Sequence, residues 1–152
     1  MELKFIPWAP LPENWIKRWA EVAQLAASWS KDPNTKVGAV LFTKDNSPIA
    51  FGYNGLPRGV EDTDLRLQDR EIKRKMVVHA EANAILNAAR TGAALDGAFL
   101  MVTHPCCSVC AGLIIQTGIK LVIYPALSGC ERFNHDISEQ MFKEAGVVLH
   151  KI

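Results

Sequence analysis

With 152 residues, 49% of them hydrophobic, the chain can bury one sizeable core and has no length to spare for a second. Its 17 Lys and Arg nearly balance 16 Asp and Glu, which argues against a nucleic-acid or anionic-membrane partner gathered by a global field; an anionic ligand must be held locally. No apolar stretch reaches the length of a membrane span and Met1 to Phe5 lack a signal-peptide apolar region, so a soluble cytoplasmic protein with no membrane partner is expected.

Pro7, Pro10 and Pro12 keep the start of the chain extended. Asn14 is then placed to cap a helix in which Trp15, Trp19, Val22, Ala26 and Trp29 recur at helical spacing, a stripe expected in the core. The β-rich runs 36–43 and 48–53, separated by Lys44 to Ser47, predict an antiparallel hairpin. From Gly55 to Lys75 the chain is polar, with Arg58, Arg66, Arg70, Lys73, Arg74 and Lys75 among acids, and reads as a long, partly helical surface connection. Helix formers from Ala80 to Arg90 stop at Gly92, and a buried strand is expected over 98–103. A helix over 107–116 ending at Gly118, a strand over 120–124, and a last helix before a strand over 147–150 complete the order. Asp136 and Glu139 offer that last helix a capping box, and Gly146 a stop. Helix, hairpin, then helix and strand alternating three times predict a three-layer α/β/α sandwich: a five-stranded mixed sheet, antiparallel at the first hairpin and mostly parallel beyond it, forming one domain over 1–152. Ligands of such sheets sit where strands end and helices begin, which directs attention to His79 and Cys107.

His79-Ala80-Glu81 opens one helix and Cys107-Ser108-Val109-Cys110 the next. One imidazole and two thiolates make the three protein ligands common at catalytic zinc, which keeps a position open for water. Sulfurs in the first turn of a helix meet unpaired amides and the positive end of its dipole, which stabilise thiolate. Glu81 lies about 200° around the helix from His79, badly placed to share an ion and well placed to reach its water. Three of the four cysteines fall within Cys106 to Cys110, which suits metal binding better than disulfides. The residues leave alternatives open: a redox Cys-x-x-Cys, a closed structural zinc with Cys106, His104 or Cys130 as fourth ligand, and a Glu81 that merely favours a helix start.

His-x-Glu followed by Cys-x-x-Cys resembles the zinc-dependent nucleobase deaminases. Ser30 to Ala39, Gly52 to Gly59, Val78 to Ile85 and Ile114 to Lys120 are similar to the deoxycytidylate deaminases within that superfamily. In the family a proline directly precedes the first ligand cysteine. Here Cys106 occupies that site, so the register puts the ligands on Cys107 and Cys110 and leaves Cys106 a neighbouring thiol. The resemblance implies a cytidine deaminase-like fold, one zinc held by His79, Cys107 and Cys110, and Glu81 as proton shuttle in hydrolysis of dCMP to dUMP and ammonia. It places Asn34 on the nucleoside and Ala80 on the base; Tyr124, at a strand's carboxyl end, is a candidate to line sugar or base. It also implies a homo-oligomer with dCTP and dTTP as effectors, with Mg2+, at a segment containing Asn54, Gly55 and Arg58, residues that would otherwise serve phosphate binding in the substrate pocket or only shape a turn. Deaminases of other cytosine nucleotides, or of nucleic acid, would share the metal motifs.

Overall fold

The computed structural model describes residues 11–126 and 135–152. Its elements run α1 (Glu13–Ser28), β1 (Gly38–Phe42), β2 (Pro48–Tyr53), α2 (Asp64–Gln68), α3 (Arg70–Met76), α4 (Ala80–Thr91), β3 (Phe99–Val102), α5 (Ser108–Gln116), β4 (Leu121–Tyr124), α6 (His135–Ala145) and β5 (Val148–Lys151). The five strands form one sheet in the order β2-β1-β3-β4-β5. β1 is antiparallel to both neighbours, while β3, β4 and β5 pair in parallel. The sheet is mixed as expected: beyond the β1–β2 hairpin β3, β4 and β5 pair in parallel, and β2 runs the same way as β3, while β1 lies between those two and makes both of its ladders antiparallel.

Period-two alternation along β1 divides the core. Val40 and Phe42 join Phe99, Met101, Leu121 and Ile123 on the face covered by Trp19 and Ala23 of α1, with the Trp19 and Phe42 rings stacked 4.5 Å apart. Ala39 and Leu41 join Leu100, Val102 and Val122 on the opposite face, under Ala80, Ala84 and Ala88 of α4, Ala111 and Ile114 of α5, and Phe142 of α6. Small residues let α4 come close. A Cβ on Gly52 would strike the Ala80 carbonyl and the Ala84 amide, so this glycine sets the distance between β2 and the helix that starts at the site.

Local details depart from the sequence expectations for identifiable reasons. Pro12, not Asn14, stands at the N-cap of α1, where its carbonyl accepts the amides of Trp15 and Ile16. α1 ends at Ser28, so Trp29 leaves the stripe and is 50% exposed, its ring edge-on to Tyr53. α6 begins at His135, which puts Asp136 inside its first turn; Glu139 reaches Tyr124 and Lys151 instead of closing a capping box. The surface connection holds two short helices capped by the side chains of Thr63 and Asp69. Pro7, Pro10 and Cys130 lie outside the described residues.

Candidate active site

α4 and α5 begin side by side on one face of the sheet, and each starts with a residue of extended backbone: His79 caps α4 and Cys107 caps α5. Ending β3 at Val102 brings the chain through His104, Pro105 and Cys106 to that second cap. The His79 Nδ1 atom then lies 3.4 Å from Cys107 Sγ and 3.5 Å from Cys110 Sγ. Tetrahedral zinc with bonds of ~2.0 Å to nitrogen and ~2.3 Å to sulfur separates those atoms by about 3.5 Å, so the donor set fits the ion in spacing as well as in type. Among the described residues these three donors form the one group of His, Cys and acidic side chains able to converge on a metal, their ligand atoms all within 4.8 Å of one another. Neither Cys106 nor His104 belongs to it. His104 Nδ1 is 3.2 Å from the Thr103 hydroxyl, and Cys106 is a buried thiol hydrogen-bonded to Glu81.

Electrostatics at the helix starts favour the chemistry expected of each group. The Cys107 thiol is held down to about 4, chiefly by a hydrogen bond from the Cys110 thiol, then by His79 and the Cys110 amide, against the opposing effect of burial. The Cys110 thiol is pushed up correspondingly. Glu81 is 4% exposed, and burial raises its carboxyl above the usual range, with the charge of His79 opposing. A carboxyl so placed exchanges protons nearer neutrality than one in water.

Glu81 opens into a cavity of about 440 Å³, within the size range of small-molecule sites, whose wall includes Asn34, Ala80, His79, Cys107 and His135. Asn34 sits on a loop held by Asp32, whose Oδ1 accepts the amides of Asn34 (2.8 Å) and Thr35 (3.1 Å). Asp32 is itself paired with Lys73 at 3.0 Å. Burial raises the Asp32 carboxyl, but those amides and the Lys73 ammonium together bring it below its ordinary value.

The remaining sequence candidates fall elsewhere. Tyr124 points to the core on the alternation of β4, and its hydroxyl donates to Glu139 at 3.1 Å; it is not part of the described cavity wall. Asn54 borders the cavity but its side chain is occupied: it accepts the Val37 amide at 2.8 Å and donates to the Thr35 carbonyl at 2.9 Å. Gly55 forms a bridge with Val78 next to His79. Arg58 donates to Asn87 on α4 at 2.7 Å, away from the cavity. Asp32 and His135 were not singled out from sequence, although Asp32-Pro33-Asn34-Thr35 carries the Asx-turn signal that fixes the loop. No such local signal marks His135.

Residues 13–126 match the family described as the cytidine and deoxycytidylate deaminase zinc-binding region, and the chain belongs to that family. It is 46% identical over 138 residues to an uncharacterized deaminase in the luxG 3' region of Aliivibrio fischeri, covering 88% of this chain and 90% of that one. It is 37% identical over 143 residues to the deoxycytidylate deaminase of Homo sapiens, covering 91% of this chain and 79% of the relative. Its fold superposes with a TM-score of 0.77 on the dCMP deaminase of cyanophage S-TIM5 in complex with dCMP and dUMP, at 25% identity over 93% of this chain and 99% of that one. The family's cofactor is zinc, which agrees with the donor set at the two helix starts. No helix of the described residues is long and apolar enough to cross a membrane.

Proposed function

We infer that this chain is a hydrolytic deaminase that converts dCMP to dUMP and ammonia, with residues 1–152 acting as one deaminase domain. The observation that carries this reading is the convergence of His79 Nδ1 and the Cys107 and Cys110 sulfurs beside a buried Glu81 at the head of the cavity. The deoxycytidylate deaminases among its relatives and the likeness to a structure holding dCMP and dUMP support the choice of substrate.

His79, Cys107 and Cys110 would hold zinc, which when bound supplies the Lewis acidity that makes water a nucleophile near neutral pH. Glu81 does the proton work. Its carboxylate takes the proton lost by water and delivers it to N3 of the cytosine as oxygen adds at C4. The carboxylate then takes the proton of the new C4 hydroxyl and passes it to the departing amino nitrogen, the C4–N4 bond breaks, and ammonia leaves while C4–O becomes the uracil carbonyl. The neighbouring Cys106 thiol donates to Glu81 and helps fix the orientation of the carboxylate. Asn34, on its Asp32-tied loop, and the Ala80 backbone would orient sugar and base, a reading supported by their position in the cavity wall.

A cytoplasmic location is the expectation from the sequence, and assembly into a homo-oligomer follows the resemblance; exposed Val109 and Leu113 on α5 and Leu86 on α4 support assembly. Regulation by dCTP and dTTP through Asn54, Gly55 and Arg58 has less support, because Asn54 and Arg58 already have partners within the chain. The function is tested by ammonia release from dCMP, deoxycytidine, dCTP, 5-methyl-dCMP, adenosine, guanine and single-stranded DNA. The highest kcat/KM is expected for dCMP. A purine or DNA cytosine turned over better would sink the reading.

A further inference from the structure

α3 brings three cations, Arg70, Lys73 and Arg74, to the cavity that also holds His79, Glu81 and Cys107. They are not equivalent. Lys73 is committed to Asp32, in a pair whose side chains are only 13% and 8% exposed, and Asp32 is further engaged by the amides of Asn34 and Thr35. This closed network bolts α3 to the loop that presents Asn34. The side chains of Arg70 and Arg74 have no hydrogen bond or ion pair with any described residue. As residues i and i+4 they stand one above the other on the same helical face.

Local structure does not account for the two arginines together. Arg74 lies in the last turn of α3, where the helix dipole favours a cation, but Arg70 directly follows the Asp69 cap, at the end where the dipole opposes one. Core packing does not account for α3 either, since none of its residues is buried. With a formal net charge of +1 on the whole chain, an anionic substrate must find its attraction in a local group of this kind.

We propose that Arg70 and Arg74 form the subsite for the 5′-phosphate of the substrate, with Lys73 as the strut that fixes α3; the inference rests on the reading of the substrate as a deoxynucleoside monophosphate. Two guanidinium forks offer paired, charge-assisted donors to phosphate oxygens, which a nucleoside does not have. The phosphate is remote from C4 and is held alike before and during the reaction. The subsite therefore acts on KM far more than on kcat.

Steady-state kinetics of the zinc-loaded enzyme on dCMP and on deoxycytidine test this in wild type, Arg70→Ala, Arg74→Ala and the double variant. Lys75→Ala, a cation of the same helix outside the cavity, serves as control. The preference for dCMP over deoxycytidine should fall about 10- to 100-fold in each single variant, mostly through KM, and further in the double variant, while Lys75→Ala retains it. Inorganic phosphate should compete with dCMP in wild type, with an inhibition constant raised at least about tenfold in either single variant; this second readout carries the test where the double variant does not fold. A wild-type preference that survives in the variants, with phosphate competition unaltered, overturns the subsite and leaves the substrate reading standing. Equal wild-type efficiency on dCMP and deoxycytidine overturns the substrate reading and the subsite with it.

Discussion

The two helix starts at His79 and Cys107 and the turn from Gly52 to Arg58 both carry family-like motifs, yet the fold uses them differently. At the helix starts the polar atoms are turned toward one another and toward a cavity, with His79 Nδ1 between two sulfurs and Glu81 buried beside them. In the turn they are turned into the chain: Asn54 braces the loop at Thr35 and Val37, Arg58 meets Asn87, and Gly52 makes room for α4. A motif is chemistry where its polar groups converge on unfilled space, and scaffold where neighbours already satisfy them.

That contrast is broken most directly at the sulfurs. Cys107→Ala and Cys110→Ala should each lose zinc, measured by metal analysis of the purified protein, and lose deamination to background, because two donors do not hold the ion in a catalytic geometry. Cys106→Ala should retain zinc; if it loses the metal, the ligand register is one residue earlier. Next in size is Glu81→Gln, which keeps the ligands and removes the proton carrier. Its kcat should fall by ~10²- to 10⁴-fold with zinc content unchanged. Turnover near wild type would take Glu81 out of the mechanism.

Much of this was legible before the fold. The His79 and Cys107 helix starts, the hairpin and the strand cores are local signals, set within a few residues by capping, alternation and glycine stops, and each appears within a residue or two of its expected place. What was not legible depends on tertiary placement. Nothing near Gly38 to Phe42 says that β1 will slot between β2 and β3, and that insertion decides which ladders are antiparallel. Tyr124 could face a site or the core from sequence; the alternation of β4 beneath α6 assigns it to the core. The cations of Arg58 to Lys75 looked alike along the chain. Only the packing of α3 on the Asp32 loop distinguishes Lys73, which is paired, from Arg58, which is tied to α4, and from Arg70 and Arg74, which are not paired.

The brace between the two regions predicts a smaller and pH-dependent effect. Asp32 has a folded-state pKa below its unfolded value, because the Asn34 and Thr35 amides and Lys73 outweigh burial. Its contribution is therefore fully present above ~3.9 and is lost as pH falls through the lower folded value. Asp32→Asn should be less stable than wild type in denaturant titrations at pH 7, and the gap should narrow as pH drops below ~4. Lys73→Met at pH 7 should cost about 2 to 3 kcal/mol, less than the ~3 to 5 kcal/mol of a fully buried pair, since the two amides still serve the carboxylate. A gap that stays constant down to acid pH would show that Asp32 braces the loop by packing and not by charge.

The smallest effect is expected at Arg58, and it is the sharpest test of the turn as scaffold. Arg58 donates to Asn87, which in turn donates to the Phe51 carbonyl at 2.7 Å, and both contacts are exposed to solvent. Exposed interactions of this kind contribute little, and Asn87 keeps its backbone partner when the arginine is removed. Arg58→Ala should therefore shift the unfolding free energy by less than about 1 kcal/mol and leave zinc content and dCMP saturation unchanged. An effector role makes the opposite prediction: dCTP and dTTP with Mg2+ would alter the dCMP saturation curve of wild type, and Arg58→Ala would blunt that response. A blunted response would mean that Arg58 leaves Asn87 to bind nucleotide, and that the turn belongs with the chemistry after all.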